Sequence, residues 1–301
     1  MRVLLINNLH SGYADGSIHD FIRTFSQAGD EVVYRVFVPG KDLQSYVKDA
    51  ENFELVVVSG GDGFIAGVCY HLRDTKIPIF PFPGGTANLL ATNIDMPNEP
   101  FALAKIAREM RTLDFDSGEL KFGDHTYGFS VIAGCGYDAE IMKSAKPNKK
   151  IFGLASYYFA AVRNALPGCS HFEITLDDKV IHAEGIGVLV INFSRLQGDL
   201  RITHENKPRD GVFDVVILKG RSAFKLLPAI WASVLDVTGL NPDRTDSLEI
   251  HQAKYIKVKS DPEVDVQYDG ETDGYSGPFE ARILPQSTRL VLSEEAYEKF
   301  K

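Results

Sequence analysis

The sequence predicts an α/β domain built on a parallel sheet, followed by a mostly antiparallel β-domain. Up to about Met110, short and uniformly apolar strands alternate with helical segments, which is typical of a parallel sheet covered on both faces. After Met110 the predicted strands far outnumber the helices. The chain has 301 residues, which is long enough to form two domains.

The first domain is predicted to contain four strands with helices between them. The strands are residues 3–6, 31–38, 55–58 and 77–80, with Pro81 ending the fourth. The helices are residues 20–28, residues 43–50, a segment that ends near Leu72, and a segment that starts near Thr86. Each strand is almost entirely apolar, as expected for strands buried on both sides.

The second domain is predicted to be rich in strands. They are residues 126–133, 172–176, 180–193, 212–218, 255–259, 264–268 and 281–284, and Asp177 and Asp178 form a hairpin connection. Two helices are predicted at residues 151–165 and 223–235, with Ser222 as the N-cap of the second. A late strand (residues 289–292) and helix (294–300) return to the first domain. The domains are therefore residues 1–112 with 286–301, and residues 113–285.

Composition excludes several classes of protein. The formal net charge of -9 argues against general nucleic-acid binding, which needs a basic surface. Three widely spaced cysteines, Cys69, Cys135 and Cys169, form neither a disulfide framework nor a zinc cluster, so we expect a cytoplasmic protein. No signal peptide precedes the first strand, and no apolar run is long enough to cross a bilayer.

The first candidate binding segment is a glycine-rich turn. Residues 60–64 read Gly-Gly-Asp-Gly-Phe and stand between the third strand and a helix. Glycines let backbone N–H groups approach a phosphate closely, and the helix start adds free amides and a positive dipole end. Asp62 stands where a carboxylate could orient a magnesium ion or a nucleotide. The same pattern also fits a tight turn that binds nothing.

Two more loops are predicted at the same carboxyl edge of the sheet, where open α/β sheets bind ligands. Residues 83–88 follow the fourth strand, and Thr86 and Asn88 supply polar side chains there. This segment also fits an ordinary helix start with Thr86 as N-cap. Residues 7–12 follow the first strand and are polar, which fits either a binding loop or a plain surface loop.

In order and spacing, the three loops resemble motifs of the diacylglycerol kinase catalytic-domain family, which includes bacterial lipid kinases and sphingosine kinases. The family motifs are Asn-Pro-x-Ser-Gly, Gly-Gly-Asp-Gly-Thr and Pro-x-Gly-Thr-x-Asn. Further similar segments are residues 134–138, 153–158, 210–211 and 269–271. The resemblance implies an α/β nucleotide-binding domain, a C-terminal β-sandwich and an active site in the cleft between them. NAD kinases share this architecture and the Gly-Gly-Asp-Gly loop.

The resemblance also implies a set of site residues, with ATP and Mg²⁺ as cofactors. Asp62, Asp269 and Glu271 are the catalytic residues, and Asp210 holds a structural magnesium with backbone carbonyls near Lys207 and Val212. The nucleotide contacts are Asn7, Asn8, Ser11, Gly12, Gly60, Gly61, Asp62, Gly63, Phe64, Gly85, Thr86 and Asn88.

Phosphoryl transfer requires a base near the attacking hydroxyl. Either Asp269 or Glu271 could be that base, with Asp269 favoured because Glu271 could instead position it or bind metal. Asp-Gly is also a common hairpin turn, which is the alternative for both acidic turns. We expect Asp62→Asn and Asp269→Asn to abolish transfer and to leave the fold intact.

Several positions depart from the family pattern. Phe64 replaces a threonine, Asn8 replaces a proline, and Ala66 and Gly67 replace an Asn-Glu pair. Phe37 or Val38 stands near a position where a nucleotide-contacting threonine is often found. We expect these differences to affect nucleotide affinity or identity.

A local reversal of charge indicates a membrane contact. Residues 141–172 contain no Asp or Glu and carry Lys143, Lys146, Lys149, Lys150 and Arg163 beside aromatic residues. Such a segment could dock on an anionic membrane, or it could be a solvated loop before a core helix. We expect a cytoplasmic protein, and peripheral contact at the inner membrane surface is the hypothesis that follows from the first of these two interpretations.

The sequence as a whole predicts an ATP-dependent lipid kinase that phosphorylates a lipid alcohol such as diacylglycerol. A monoacylglycerol, a sphingoid base or another long-chain alcohol fits equally well. The alternatives are a kinase of a soluble acceptor, as in NAD kinases, and a catalytically weak regulator that binds lipid or nucleotide.

Overall fold

A computed structural model describes residues 1–12, 16–136, 168–195, 207–219 and 248–301. The chain divides into two compact units, Met1–Ser117 with Pro285–Lys301, and Gly118–Leu284. The predicted helices at residues 151–165 and 223–235 lie outside the described residues. Within those residues, no helix is long and apolar enough to cross a membrane.

The described elements are numbered in chain order. They are β1 (Arg2–Asn7), α1 (Ser17–Phe25), β2 (Glu31–Val36), α2 (Gln44–Val47), a 3-10 turn (Ala50–Asn52), β3 (Leu55–Ser59), α3 (Asp62–His71), β4 (Ile79–Phe82), α4 (Leu89–Asn93), α5 (Pro100–Glu109), β5 (Arg111–Phe122), β6 (His125–Phe129), β7 (Ile132–Gly136), β8 (Ser170–Leu176), β9 (Lys179–Ile191), β10 (Phe213–Lys219), β11 (Leu248–Ala253), β12 (Tyr255–Asp261), β13 (Val266–Tyr268), β14 (Phe279–Leu292) and α6 (Glu294–Phe300).

The first unit contains the predicted parallel sheet. Its strand order is β2-β1-β3-β4-β14, and every neighbouring pair is parallel. The late strand joins this sheet through the pairing of Leu290 with Ile79. The residues of β3 are all buried, and Phe21 of α1 packs on Phe80 and Phe82 of β4 at ring distances of 5.7 and 5.4 Å. An apolar core therefore fixes the sheet whose edge carries the loops.

Two predictions in this unit are wrong. Pro81 does not end the fourth strand but lies inside β4, paired with Val58 of β3. β14 pairs with β4 at Ile79, so the absence of an N–H on Pro81, further along β4, is tolerated. The next helix begins at Leu89 rather than near Thr86, and Asn88 stands at its N-cap position with φ 51°. Thr86 is therefore not the N-cap.

The second unit is mostly antiparallel, as predicted. Strands run in the order β11-β10-β9-β8-β12-β14, β7 also pairs with β9 and β13, and β5 pairs with β6. Leu176 pairs with Lys179, so Asp177 and Asp178 form the predicted hairpin connection. The core contains fully buried aromatic residues, among them Phe129, Phe172, Phe213 and Phe279.

Two strand predictions in the second half are wrong in detail. Residues 126–133 form two strands, β6 and β7, because the backbone N–H groups at the break bind a carboxylate instead of a neighbouring strand. Residues 281–284 and 289–292 belong to one strand, β14, which contributes residues to both units. Hydrophobic periodicity did not separate one long strand from two short strands here.

Candidate functional site

Three loops meet at the carboxyl edge of the parallel sheet. They follow Asn7 of β1, Ser59 of β3 and Phe82 of β4. The Asn8 N–H donates to the Ser59 carbonyl at 2.8 Å. Because β1 lies between β2 and β3, the chain reverses its direction of winding between β1 and β3. This reversal is where open α/β sheets form their ligand crevice.

Glycines allow these loops to touch through their backbones. A Cβ atom on Gly12 would lie 2.1 Å from the Gly84 carbonyl oxygen, and Gly12 has φ +66°. A Cβ on Gly85 would lie 2.7 Å from the Gly60 carbonyl oxygen. A Cβ on Gly61 would lie 3.5 Å from the hydroxyl oxygen of Ser11. The structure thus brings the three predicted loops together.

A cavity of about 100 Å³ lies among the loops. Its lining residues are Asn7, Asn8, Leu9, Ser11, Gly16, Ser17, Ile18, His19, Ser59, Phe82, Pro83, Gly84 and Gly85. The lining includes the first turn of α1, whose positive dipole end favours an anion. The cavity is therefore suited to a phosphate group.

Part of this lining was not predicted from the sequence. Ser59 is only 4% exposed. It directly precedes the glycine turn, and this position could have identified it as a lining residue. Ser17 and His19 belong to α1, which was predicted to begin later at residue 20. Gly84 was part of the quoted motif, but it was not counted among the contact residues.

Asp62 ties the glycine turn to the start of α4, and Asn88 closes the third loop on itself. Asp62 is 8% exposed, and its Oδ1 accepts the Leu90 N–H at 3.2 Å. Asn88 Oδ1 accepts the Gly85 N–H at 2.7 Å, and its Nδ2 donates to the Pro83 carbonyl at 3.3 Å. Both side chains therefore hold the backbone around the cavity. Gly63, Phe64 and Thr86 lie in the same loops and are half-buried.

In the second unit, Asp269 is built into the fold. It is 3% exposed, with φ +43°. Its Oδ2 accepts the Ser130 N–H at 2.6 Å, and its Oδ1 accepts the N–H groups of Val131 and Ile132, each at 2.9 Å. The Asp269 N–H donates to the Ile132 carbonyl at 2.8 Å. These bonds lock the turn that carries Glu271 onto the start of β7.

Glu271 is half-buried at the end of the same turn. The Tyr268 N–H donates to the Glu271 carbonyl at 3.0 Å, and the Glu271 N–H donates to the Tyr268 carbonyl at 2.8 Å. Gly270 donates its N–H to the Gln267 Oε1 at 3.3 Å. The backbone N–H and carbonyl of Glu271 are therefore both hydrogen-bonded, and these bonds fix the position from which its side chain extends.

Two tyrosines and Asp273 lie beside this turn. The Tyr127 and Tyr268 rings stack at 4.8 Å, and the Tyr268 hydroxyl donates to Asp273 Oδ2 at 3.3 Å. Burial, with a hydrogen bond to Asp273, raises the pKa of Tyr127 to about 12. Burial and the Asp273 charge also raise the pKa of Tyr268. Both phenols are therefore neutral hydrogen-bond donors at physiological pH.

The predicted metal residues border a polar cavity of about 130 Å³. Asp210 Oδ1 accepts the Val212 N–H at 3.1 Å. The Lys207 carbonyl accepts the N–H groups of Arg209 and Asp210 at 2.7 and 3.1 Å. The lining consists of Ile191, Asn192, Lys207, Asp210, Val212, Asp214 and Gln252.

Carboxylate and amide oxygens of this kind fit a hard cation such as Mg²⁺. Throughout the described ranges there is no group of three or more His, Cys, Asp and Glu side chains that could hold a metal ion. A cation at Asp210 would therefore need backbone oxygens and water as further ligands, as the sequence prediction assumed.

Several sequence-predicted segments lie outside the described residues. These are residues 137 and 138 of the segment 134–138, residues 153–158, and all five basic residues of the predicted membrane contact. The predicted contact with an anionic membrane therefore stays a prediction.

Comparison with known families covers nearly the whole chain. Residues 2–120 match the diacylglycerol kinase catalytic domain. Residues 130–292 match the YegS C-terminal NAD kinase beta sandwich-like domain. The two matches follow one another along the chain.

Two curated relatives have the same extent as this chain, and a third is longer. The chain is 26% identical to a diacylglycerol kinase from Bacillus subtilis, with 99% of this chain and 98% of that protein covered. It is 24% identical to a YegS-like lipid kinase from Alcanivorax borkumensis, with 97% of each covered. A Synechocystis protein of unassigned function is 26% identical over 82% of the chain, which spans 57% of that protein's length.

Solved structures confirm the predicted fold class. A diacylglycerol kinase from Bacillus anthracis has a TM-score of 0.75 at 22% identity, with 98% of both chains covered. An NAD kinase from Archaeoglobus fulgidus in complex with ATP has a TM-score of 0.55 at 15% identity, with 99% of this chain and 96% of that chain covered. The fold is thus an N-terminal α/β domain with parallel strands and a C-terminal β-sandwich domain.

Proposed function

This chain belongs to the diacylglycerol kinase family of lipid kinases, and we propose that it transfers the γ-phosphate of ATP to the hydroxyl of a lipid alcohol such as diacylglycerol. The observation that carries the proposal is the cavity among the three loops, where glycine backbones, buried polar side chains and a helix start converge. Diacylglycerol is the first candidate acceptor because relatives from Bacillus subtilis and Mycobacterium tuberculosis carry that activity in their names.

The first unit would bind the nucleotide. Phosphate oxygens would occupy the cavity and accept N–H groups from the loops, as in other helix-start anion sites. Ser11 and Ser59 would add hydroxyl donors. Asp62 would keep its hydrogen bond to Leu90 and thereby hold the second and third loops at the spacing that the phosphates require.

The second unit would supply the base. We assign that role to Glu271 rather than to Asp269, because both oxygens of Asp269 already accept backbone N–H groups and the side chain is buried. Glu271 would take the proton of the acceptor hydroxyl as the oxygen attacks the γ-phosphorus. Asp269 would act as a positioning residue that fixes the turn bearing Glu271.

Mg²⁺ is part of this proposal. Asp210, with oxygens from Lys207 and Val212, would hold one ion as a structural site, and the donor chemistry of the cavity fits it. An ion bound with the nucleotide would neutralise charge on the transferred phosphate. Asp62 would help to place that second ion.

The proposal predicts the outcome of an acceptor panel. Purified protein is incubated with γ-labelled ATP, Mg²⁺ and one acceptor at a time: diacylglycerol, monoacylglycerol, a sphingoid base or NAD. Label should enter a lipid, and Glu271→Gln should lower that rate by about a hundredfold to ten-thousandfold. Label in NAD alone would favour the NAD kinase alternative, and no transfer to any acceptor would favour the binding regulator.

A further inference from the structure

Two of the positions that depart from the family pattern contact each other. The rings of Phe37 and Phe64 lie 4.9 Å apart between centroids, at an interplanar angle of 56°. Phe37 directly follows β2, and Phe64 lies in the first turn of α3. They come from different elements and meet at the edge of the sheet that carries the loops.

This aromatic pair adjoins the glycine turn. A Cβ atom on Gly60 would lie 2.5 Å from Phe64 Cδ1 and 3.3 Å from the Cβ of Asn8. Asn8 in turn lines the cavity proposed for phosphate. The Phe37 N–H donates to the Asn7 carbonyl at 2.8 Å. The pair therefore lies beside the first and second loops, and one backbone hydrogen bond holds Phe37 to the end of β1.

Both rings remain half-buried rather than enclosed in the core. The ring of Tyr46 in α2 packs against the ring of Phe37 at a centroid distance of 5.4 Å. The Tyr46 hydroxyl accepts the Val38 N–H at 3.0 Å. Apolar area of this kind next to a polar cavity is the usual composition of a ligand site. Aromatic faces beside a phosphate site suit a nucleobase, because every base presents a π-face.

We propose that Phe37 and Phe64 form the surface on which the nucleobase packs, so that the site recognises an aromatic base and discriminates weakly between adenine and guanine. This inference rests on the proposed function, since it assumes that a nucleoside triphosphate binds at the loops. The absence of a threonine hydroxyl at position 64 is then compensated by contact with the base.

Calorimetric titrations with ATP, GTP and inorganic tripolyphosphate test the inference in the absence of any acceptor. The wild type should bind ATP and GTP with affinities within about tenfold of each other, and both more tightly than tripolyphosphate. Phe64→Leu and Phe37→Leu should each weaken ATP binding about tenfold and leave tripolyphosphate binding unchanged. Phe64→Tyr, which keeps the π-face, should retain affinity.

Tyr70→Leu is the matched control, because Tyr70 lies on α3 and packs under Arg73 at 4.2 Å, away from the glycine turn. Thermal melts identify any variant that fails to fold, and if one leucine variant does not fold, the other decides the case. Unchanged ATP affinity in both leucine variants, or equal wild-type affinity for ATP and tripolyphosphate, would overturn the inference while leaving the proposed function intact. Failure of the wild type to bind ATP would overturn both.

Discussion

The carboxylate of Asp269 accepts the backbone N–H of Ser130 at 2.6 Å, at the point where β6 ends and β7 has not yet begun. Two more N–H groups, from Val131 and Ile132, bind its other oxygen. The Asp269 side chain thus supplies the acceptors that a neighbouring strand would otherwise provide for these N–H groups. The same side chain fixes the turn that carries Glu271, so the break between the strands and the placement of the proposed base have one cause.

The first prediction concerns Asp269→Asn. In the wild type, both oxygens of Asp269 accept backbone N–H groups. An asparagine must instead turn its NH₂ group toward at least one of these N–H groups, which leaves a buried donor unsatisfied. We expect a loss of about 1–3 kcal/mol in the free energy of unfolding, besides a loss of activity. This differs from the sequence-based expectation that the fold would stay intact. Urea denaturation measures it, with the exposed Asp124→Asn as the control, and equal stability of both variants would contradict it.

The second prediction concerns alkaline pH. Because the folded protein raises the pKa of Tyr127 to about 12, while an unfolded tyrosine ionises near pH 10, the unfolded chain releases the proton first. The resulting contribution to stability is complete below about pH 10 and is lost as the pH rises toward 12. Tyr127→Phe should therefore flatten the fall in unfolding free energy above pH 10. A fall as steep as in the wild type would rule out this role for Tyr127.

Asp273→Asn provides an independent check of the same cluster. Removing the charge should move the pKa values of Tyr127 and Tyr268 back toward the ordinary range, because Asp273 contributes to raising both. Titration of phenolate absorbance in the folded protein measures this. If the tyrosine titration is the same with and without the Asp273 charge, Asp273 does not contribute to either pKa.

The fourth prediction concerns the contact between the first and third loops. Gly12→Ala places a methyl group 2.1 Å from the Gly84 carbonyl oxygen in a backbone with φ +66°, so the loops must separate. We expect lower stability and loss of ATP binding. Gly40→Ala is the control, because Gly40 has φ +84° but no atom within 4 Å of the added Cβ. If both variants lose the same stability, backbone strain rather than the loop contact is responsible.

The fifth prediction concerns magnesium. If Asp210 holds Mg²⁺, the ion should raise the melting temperature of the wild type, because it binds the folded state and not the unfolded chain. Asp210→Asn should remove most of that increase without activity entering the measurement. Asp178→Asn, in the exposed hairpin turn, should retain it. An identical Mg²⁺ response in all three proteins would place the ion elsewhere.

Periodicity in the sequence predicted the strands of the parallel sheet well, because β1, β3 and β4 contain apolar runs and β2 is rich in β-branched residues. Pro81 and Thr86 misled the prediction. Both are residues that usually end a strand or start a helix, yet the position of a proline relative to neighbouring strands and the φ +51° of Asn88 depend on tertiary contacts. Such contacts are not visible in a local pattern.

The candidate site was predicted loop by loop, since each glycine motif is local in the sequence. The roles of individual side chains were less visible. The anchoring of Asp269 depends on N–H groups about 138 residues away in the chain, and the contact of Phe37 with Phe64 joins two elements. Spacing along the chain carries no signal for either relationship.

Kinase activity on a lipid is tested most directly by the rate of γ-phosphate transfer from ATP to diacylglycerol in mixed micelles, for the wild type and Glu271→Gln at matched folded concentration. We predict Mg²⁺-dependent formation of phosphatidic acid by the wild type, and a rate lower by about a hundredfold or more in Glu271→Gln with an unchanged melting temperature. No transfer to diacylglycerol or any other lipid alcohol by the wild type, or equal rates in the two proteins, would contradict the account.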